Sequence, residues 1–168
     1  VTRLDGGELK LHKSETVLEE LIDAVLVKFR KRCPDQPVEV RIPDEFLSIP
    51  MDAVLIEQVL MNLLENAVFH ARGMRNLWLR VEIKHKHAVF FVEDDGCGIS
   101  DERMKYLFTG LLDSAAPVDT ARSSMGIGLS VCKTIIKAHG SELKAGNRPE
   151  GGAVFSFALE MEERNHVE

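Results

Sequence analysis

The chain has 168 residues, which suits one compact domain with a sizeable core and is short for two. Its 45% hydrophobic and 29% charged residues exclude a disordered chain, a collagen-like repeat and a coiled coil. The 21 basic and 27 acidic residues leave a net charge of −6, which disfavours a nonspecific nucleic-acid binder and a polybasic protein of the membrane surface.

The cysteines, the apolar runs and the N-terminus indicate the kind of compartment in which the chain folds. The cysteines, Cys33, Cys97 and Cys132, form no C-x-x-C pair and leave one thiol over in any disulfide scheme, so we expect a reducing compartment. No apolar run approaches the roughly 20 residues that span a bilayer, and the N-terminus lacks a signal-peptide pattern. We therefore expect the chain to be soluble. Because it begins at Val1 without an initiator methionine, we also expect it to be a piece of a longer protein.

The first half of the chain predicts two helices and three short strands. Ser14 is expected to cap the first helix, which ends before Pro34, and Asp52 opens the second, which has a broad apolar stripe up to about His70. Weak alternation predicts an edge strand before the first helix, and β-rich runs predict two strands between the helices. The predicted strands cover residues 8–13, 38–42 and 46–49.

The second half predicts two hairpins with two helices between them. A long polar stretch of small residues separates those helices, and we interpret it as a mobile lid. The last helix ends near Gly140, as a glycine at a helix C-terminus favours. In chain order the elements are strands 78–83 and 88–92, a glycine-rich turn 94–98, helix 101–108, lid 109–124, helix 126–139, and strands 143–145 and 153–159 around a turn at 147–152.

These elements predict an α+β fold, namely a two-layer α/β sandwich in which three helices cover one face of a mostly antiparallel sheet. The helix at 126–139 connects two β-runs, which indicates a mixed sheet. We expect a single domain over residues 1–160, with a linker and edge strand at 1–14 and a charged tail at 161–168.

Two asparagines distinguish the second predicted helix. Asn62 and Asn66 lie four residues apart and therefore project from the same face. Placing two amides on an otherwise apolar stripe costs free energy unless a partner satisfies them. An exposed helix edge, where asparagine is common, is the alternative interpretation.

Two glycine-rich segments follow. In residues 94–98 (DDGCG), glycines let a ligand or another backbone approach closely, and a carboxylate at the strand end can accept a hydrogen bond from an exocyclic amine. Residues 123–129 (SSMGIGL) lead into a helix, whose first backbone amides suit phosphates. A tight turn and an ordinary helix entry are the alternative interpretations. The second segment fits neither a Walker A loop nor, because it does not follow a strand, a dinucleotide fingerprint.

The order of these motifs resembles that of a known family. It is similar to the ATP-binding fold shared by gyrase, Hsp90, MutL and histidine kinases, and specifically to the catalytic and ATP-binding domain of sensor histidine kinases. The segments VLMNLLENAVFHA, VEDDGCGIS, YLFTG and MGIGLSVCKTIIKAHG resemble the family's N, G1, F and G2 boxes. The segments LDGGELKL, NLLENAV and NRPEGGAVFSF resemble the potassium-responsive sensor kinases.

The resemblance implies ATP and Mg²⁺ as cofactors. Asp94 would receive the adenine amine, Asn66 would coordinate Mg²⁺, and Asn62 would line the triphosphate channel, so the catalytic role falls to the two asparagines. Glycines and the helix start behind them would shape the base pocket and receive phosphate oxygens, and Phe108 would anchor the lid. The implied binding set is Asn62, Asn66, His70, Asp94, Gly96, Gly98, Ile99, Phe108, Gly126, Ile127, Gly128 and Leu129.

Position 62 separates the branches of this family. The gyrase, Hsp90 and MutL branches and the anti-sigma serine kinases typically have a glutamate there, whereas Asn62 cannot act as a base, which favours the histidine-kinase branch. The chain also departs from the family pattern. Phe69 replaces a frequent lysine, so that Arg72 or Arg122 is the candidate cation, Ser124 replaces a glycine, and Ala153 a threonine.

The implied activity is transfer of the ATP γ-phosphoryl group to a histidine on a dimerisation helix outside this chain. None of His12, His70, His85, His87, His139 and His166 has the sequence context of an acceptor, so we expect them in solvent or turns, except that His70 could face the phosphates. The implied partners are a histidine-bearing dimerisation domain and a response regulator, without nucleic acid. The parent would be a membrane-anchored bacterial homodimer, and this domain cytoplasmic.

Two other functions stay open. The departures at Phe69 and Ser124 suit a regulatory nucleotide-binding module with little turnover. An anti-sigma-type serine kinase is the third interpretation.

Overall fold

The computed structural model describes residues 9–108 and 128–161, and the lid predicted at 109–124 lies outside them. The described residues form seven strands and four helices. In chain order these are β1 (Ser14–Val17), α1 (Leu18–Arg32), β2 (Glu39–Arg41), β3 (Ser48–Met51), α2 (Ala53–His70), β4 (Leu77–Lys84), β5 (His87–Asp94), α3 (Asp101–Tyr106), α4 (Leu129–Ala138), β6 (Lys144–Asn147) and β7 (Ala153–Glu160).

Five strands form one mixed sheet in the order β2-β4-β5-β7-β6. Strand β2 is parallel to β4, and the remaining neighbours are antiparallel. The mixed sheet is confirmed, but the predicted reason for it is wrong. The parallel pair is joined through α2, which supplies the helical crossover that parallel strands need, rather than through the helix near 126–139.

The N-terminal strand lies later in the chain than predicted. Residues 9–13 form no strand, and Ser14 lies in β1, which pairs with β3 in a separate antiparallel sheet. The N-cap of α1 is therefore Val17, whose side chain makes no capping bond. The Leu18 N–H instead donates to the Leu47 carbonyl at 2.9 Å. Pairing with β3, a contact distant in sequence, sets the start of α1 where a local capping signal indicated Ser14.

The core lies between the large sheet and a layer of helices. Side chains in β4, β5 and β7 alternate between buried and half-buried except at one exposed end of each strand, so one sheet face is covered. Helix α2 contacts α1, α4 and β5, and it forms the centre of the layer. The rings of Phe90 and Phe157 stack with centroids 4.9 Å apart. This arrangement confirms the predicted two-layer sandwich. No helix in the described part of the chain is long and apolar enough to cross a membrane.

His139 lies in the turn that follows α4, which is one of its two expected places, but it is buried and not exposed to solvent. Its Nδ1 lies 2.9 Å from the Ile135 carbonyl, and its Nε2 accepts the Asp52 backbone N–H at 3.1 Å. Because Nε2 accepts and Nδ1 faces a carbonyl, the imidazole is neutral with its proton on Nδ1. The Asp52 side chain in turn accepts the Leu55 N–H, as a helix cap should. His139 therefore joins the end of α4 to the start of α2.

This histidine predicts a pH dependence of stability. Burial lowers the pKa of His139. The unfolded chain therefore binds a proton near pH 6.5, roughly the ordinary histidine value, that the folded chain does not bind. The stability that His139 contributes is present above that pH and is lost as the pH falls through it. We expect the difference in unfolding free energy between the unmodified chain and His139→Gln to shrink from about pH 8 to about pH 5.5.

Urea unfolding of both chains at the two pH values checks this expectation. Using the difference between the chains cancels the titration of the other histidines and of the carboxylates. A difference that stays constant with pH would show that His139 is not held neutral by the fold.

Candidate functional site

Asp94 ends β5, and its carboxyl group has an unused oxygen. The residue is only 4% exposed. Oδ1 accepts the backbone N–H of Gly96 at 2.8 Å and that of Ala153 at 3.4 Å. Within residues 9–108 and 128–161, no group donates to Oδ2. A buried carboxylate oxygen without a donor is costly, so this atom indicates a place for a ligand that brings an N–H.

Burial is the main influence on the ionisation of Asp94, and it raises the pKa of this carboxyl group. The two backbone N–H groups act in the opposite direction, because they stabilise the charged form. The neighbouring Asp95 raises the pKa further, and the positive charge of Arg148 lowers it. An added hydrogen-bond donor at Oδ2 would therefore favour the carboxylate.

Asp95, the next residue, holds a loop in place through hydrogen bonds that the sequence did not predict. Its Oδ1 accepts the backbone N–H groups of Arg75 and Asn76, each at 2.8 Å, and its Oδ2 accepts the Asn76 side-chain amide at 2.9 Å. These bonds lower the pKa of Asp95 to about 2, and the bond from the Asn76 backbone N–H has the largest effect. Asp95 thus ties the loop after α2 to the end of β5.

The two glycines of the DDGCG turn are required by the protein's own backbone. A Cβ on Gly96 would lie 2.7 Å from the Ala71 Cβ, so this glycine lets the turn approach the end of α2. Gly98 has φ +81, and a Cβ there would lie 2.8 Å from Asn147 Oδ1. The turn therefore packs directly beside the helix that carries the predicted asparagines.

The β6–β7 turn closes the other side of the same segment, and sequence reasoning missed its part. Asn147 Oδ1 accepts the N–H of the buried Ile99 at 2.7 Å, and Nδ2 donates to the Ile99 carbonyl at 3.0 Å. A Cβ on Gly152 would lie 1.9 Å from the Asp94 carbonyl oxygen. An asparagine and a glycine pair in a predicted turn were the signals that could have indicated this clamp.

The predicted asparagines lie on α2, and neither is fully buried. Asn62 and Asn66 are both half-buried, as is His70 one turn further along α2. The Asn66 Oδ1 accepts a long hydrogen bond of 3.5 Å from Arg103 Nη2. Arg103 is thus the cation that reaches this amide in the described residues, where the sequence had suggested Arg72; the other candidate, Arg122, lies outside them.

The carboxylates of α2 are both paired with α1. Glu57 accepts from Lys28 at 3.0 Å, and the buried Glu65 accepts from Arg32 at 2.8 Å. Burial raises the pKa of Glu65, and Arg32 opposes that effect. Neither carboxylate is at position 62, where a general base would be needed, and Asn62 cannot serve as one.

The start of α4 offers backbone donors. Gly128 is its N-cap and has no side chain to cap the helix, and its carbonyl accepts from both Val131 and Cys132. The N–H groups of Leu129 and Ser130 have no acceptor among the described residues, which suits an anion. Gly126 and Ile127, which the sequence added to this set, lie outside those residues.

Phe108 lies at the border of the predicted lid. Its ring meets that of Phe155 edge to face, with centroids 6.5 Å apart. The Lys133 ammonium of α4 lies 5.4 Å from the Phe108 centroid. The residue thus contacts both the sheet and α4.

Comparison with known proteins identifies the family. A sequence profile described as "Histidine kinase-, DNA gyrase B-, and HSP90-like ATPase" matches residues 51–163, a span that includes every described residue of the site. The chain belongs to this ATPase family. Its resemblance to the family's ATP-binding fold is thereby confirmed.

Relatives of this ATPase domain are sensor kinases. It is 32% identical over 96% of its length to the sensor protein KdpD of Clostridium acetobutylicum, and 30% identical over its whole length to KdpD of Escherichia coli. The histidine kinase ThkA, crystallised with the response regulator TrrA, superposes with a TM-score of 0.69 at 27% identity over 89% of this chain and 42% of that one. The ATPase domain is thus of the histidine-kinase type, and it spans 18% of the length of each KdpD.

The family places a bound nucleotide in this domain, and the described residues fit one. Asp94 Oδ2 is a buried acceptor in need of a donor, and the start of α4 has backbone donors in need of an anion. In the described residues no cluster of three or more His, Cys, Asp or Glu could hold a metal. A magnesium ion would therefore depend on phosphate, water and amide oxygens, which are ligands that this hard cation accepts.

Proposed function

We propose that this ATPase domain is the catalytic and ATP-binding domain of a KdpD-like sensor kinase. Its reaction would be transfer of the ATP γ-phosphoryl group to a histidine on a dimerisation domain outside the chain. This proposal rests on one observation: Oδ2 of the buried Asp94, beside the end of α2 that bears the asparagines, accepts no hydrogen bond from the described residues. The similarity to KdpD over 96% and 100% of the chain supports the narrower assignment.

Asp94 would select the base. The exocyclic amine of adenine would donate to Oδ2, whereas guanine presents a carbonyl oxygen at the same position. Two facing acceptors in a buried site repel each other and leave both without a partner. Asp94 therefore favours ATP over GTP, and Gly96, Gly98 and Ile99 would shape the pocket around the base.

The asparagine pair and the start of α4 would hold the phosphates. Mg²⁺, when bound, would neutralise charge on the triphosphate, and Asn66 Oδ1 is the amide oxygen we assign to it, with Asn62 and His70 along the same channel. The N–H groups of Leu129 and Ser130 would donate to phosphate oxygens. Arg103, already at Asn66, would supply the positive charge that Phe69 does not.

The chain's own contribution to the reaction is positioning and charge neutralisation. Phosphoryl transfer requires little covalent help from the protein. A neutral imidazole is already a nucleophile, so an amide at Asn62 is sufficient where a hydroxyl or water acceptor would need a base. Both carboxylates of α2 lie in ion pairs with α1, which supports a histidine acceptor over a serine.

The partners follow from the same proposal. The acceptor would be the dimerisation domain of a homodimeric, membrane-anchored parent, and this domain would act in the cytoplasm. A response regulator would then receive the phosphoryl group. ThkA, which the chain resembles over 89% of its length, forms a complex with a response regulator, and this supports the second partner.

Phosphohistidine formation on an added acceptor domain tests the proposal. With ATP and Mg²⁺, we expect the unmodified chain to label a purified histidine-bearing dimerisation domain. Asn66→Ala should slow labelling by about 100-fold, because it removes an oxygen that holds the charged tail. Gln58→Ala removes an exposed amide from the same helix and should leave the rate unchanged.

Two outcomes would contradict the proposal. A folded chain that binds ATP without labelling the acceptor would be a regulatory nucleotide-binding module. Phe69 motivates this alternative, because it lies 36% exposed on α2 where a cation was expected. Labelling of serine instead of histidine would favour the anti-sigma type.

A further inference from the structure

Arg148, in the β6–β7 turn, makes contacts with the main chain of the pocket. Its Nη1 donates to the Asp94 carbonyl at 3.2 Å and to the Gly151 carbonyl at 2.9 Å. The guanidinium lies 4.6 Å from the Trp78 ring centroid. Its Nε is 3.5 Å from Glu93 Oε1, and the side chain is only 16% exposed. A planar group held on several sides keeps one orientation.

Arg148 contacts Asp94 at the point where β5 is no longer paired with β7. The register between β5 and β7 ends at the pair Glu93 and Val154. The Asp94 carbonyl, one residue later, faces the Arg148 guanidinium and the backbone of Gly152 instead of a further ladder pair. Arg148 thus replaces strand pairing at the one residue whose carboxyl group would select the base.

We propose that Arg148 is a positioning residue for adenine recognition, holding the main chain of Asp94 so that Oδ2 keeps the direction that the base requires. This inference rests on the proposed function. The positive charge of Arg148 also lowers the pKa of Asp94, which favours the carboxylate form. Arg148 contacts the main-chain carbonyl of Asp94 and not its carboxyl group, so we do not expect it to touch the nucleotide.

Arg80 provides a matched control. Its guanidinium lies 3.9 Å from the Phe91 ring centroid, and it pairs with Glu93 and Glu82. Like Arg148, it lies over an aromatic ring and pairs with Glu93, but it has no bond to Asp94. Arg80→Met and Arg148→Met therefore remove similar surface interactions, and only the second removes the bond to the pocket.

Calorimetric titration with ADP in the presence of Mg²⁺ compares these variants. We expect Arg148→Met to bind ADP about tenfold more weakly than the unmodified chain, in line with a lost hydrogen bond from a charged donor. Arg80→Met should bind ADP as the unmodified chain does. Arg148→Lys, which keeps the charge and one donor nitrogen, should restore part of the affinity. If Arg148→Met does not fold, Arg148→Lys is the variant compared with Arg80→Met.

An amide NMR spectrum without nucleotide supplies a second readout. The Gly96 N–H donates to Asp94 Oδ1, so its resonance should shift in Arg148→Met and stay in place in Arg80→Met. Equal losses of ADP affinity in the two methionine variants, or unchanged affinity in Arg148→Met, would overturn the inference alone. Failure of the unmodified chain to bind ADP would overturn the proposed function, and the inference with it.

Discussion

Asp94→Asn is expected to weaken ADP binding by about 100-fold or more while the chain stays folded, because a site built around one hydrogen bond rejects a mismatched partner strongly. The asparagine keeps the shape of the carboxyl group. Its oxygen can still accept the N–H groups of Gly96 and Ala153, as Oδ1 does now. Its NH₂ then occupies the position of Oδ2 and faces the adenine amine, so two donors meet where one bond was made.

Calorimetry with ADP measures the loss, and thermal unfolding checks the fold. Asp95→Asn is the control, because it changes the neighbouring acid whose oxygens are already used by Arg75 and Asn76. We expect that variant to lose stability and to keep its preference for adenine. Unchanged ADP affinity in Asp94→Asn would remove Asp94 from the site.

Gly152→Ala is expected to lower the free energy of unfolding by about 3 kcal/mol, combining backbone strain with overpacking. Gly152 has φ +103, a conformation that side chains disfavour. In addition, its Cβ would lie 1.9 Å from the Asp94 carbonyl oxygen and 2.7 Å from the Asp95 Cα, both of which are backbone atoms that cannot rotate away. The turn must therefore move, and ADP affinity should fall with it.

Gly151→Ala separates the two causes. Gly151 has a similar φ of +109, but a Cβ there would meet nothing within 4 Å. Urea unfolding should give it a loss of about 1 kcal/mol from strain alone, smaller than that of Gly152→Ala. If the two variants lost equal stability and both kept their ADP affinity, the close approach of Gly152 to Asp94 would have no energetic importance.

Local sequence patterns were sufficient for much of the fold. The apolar stripe of α2 and the capping residue Asp52 predicted this helix to within a residue at each end, because both signals lie inside the element. The start of α1 could not be predicted in this way. It depends on β1 pairing with β3, which places Ser14 opposite Met51, and no short segment contains both residues.

The candidate site shows the same division. Asp94, Gly96 and Gly98 were identifiable because they stand together in one turn. The residues that support the turn were missed because their contacts join distant segments, as Asn147 with Ile99 across 48 residues and Arg148 with Asp94 across 54. The burial of His139 could not be predicted for the same reason, since its partner Asp52 lies 87 residues away.

The central claim is that Asp94 makes this cavity specific for adenine. Thermal unfolding of the unmodified chain with Mg²⁺ and either ADP or GDP tests it most directly, because a ligand that binds the folded state raises the melting temperature. We predict a clear rise with ADP and none with GDP at the same concentration. Equal rises with the two nucleotides, or no rise with either, would contradict the account.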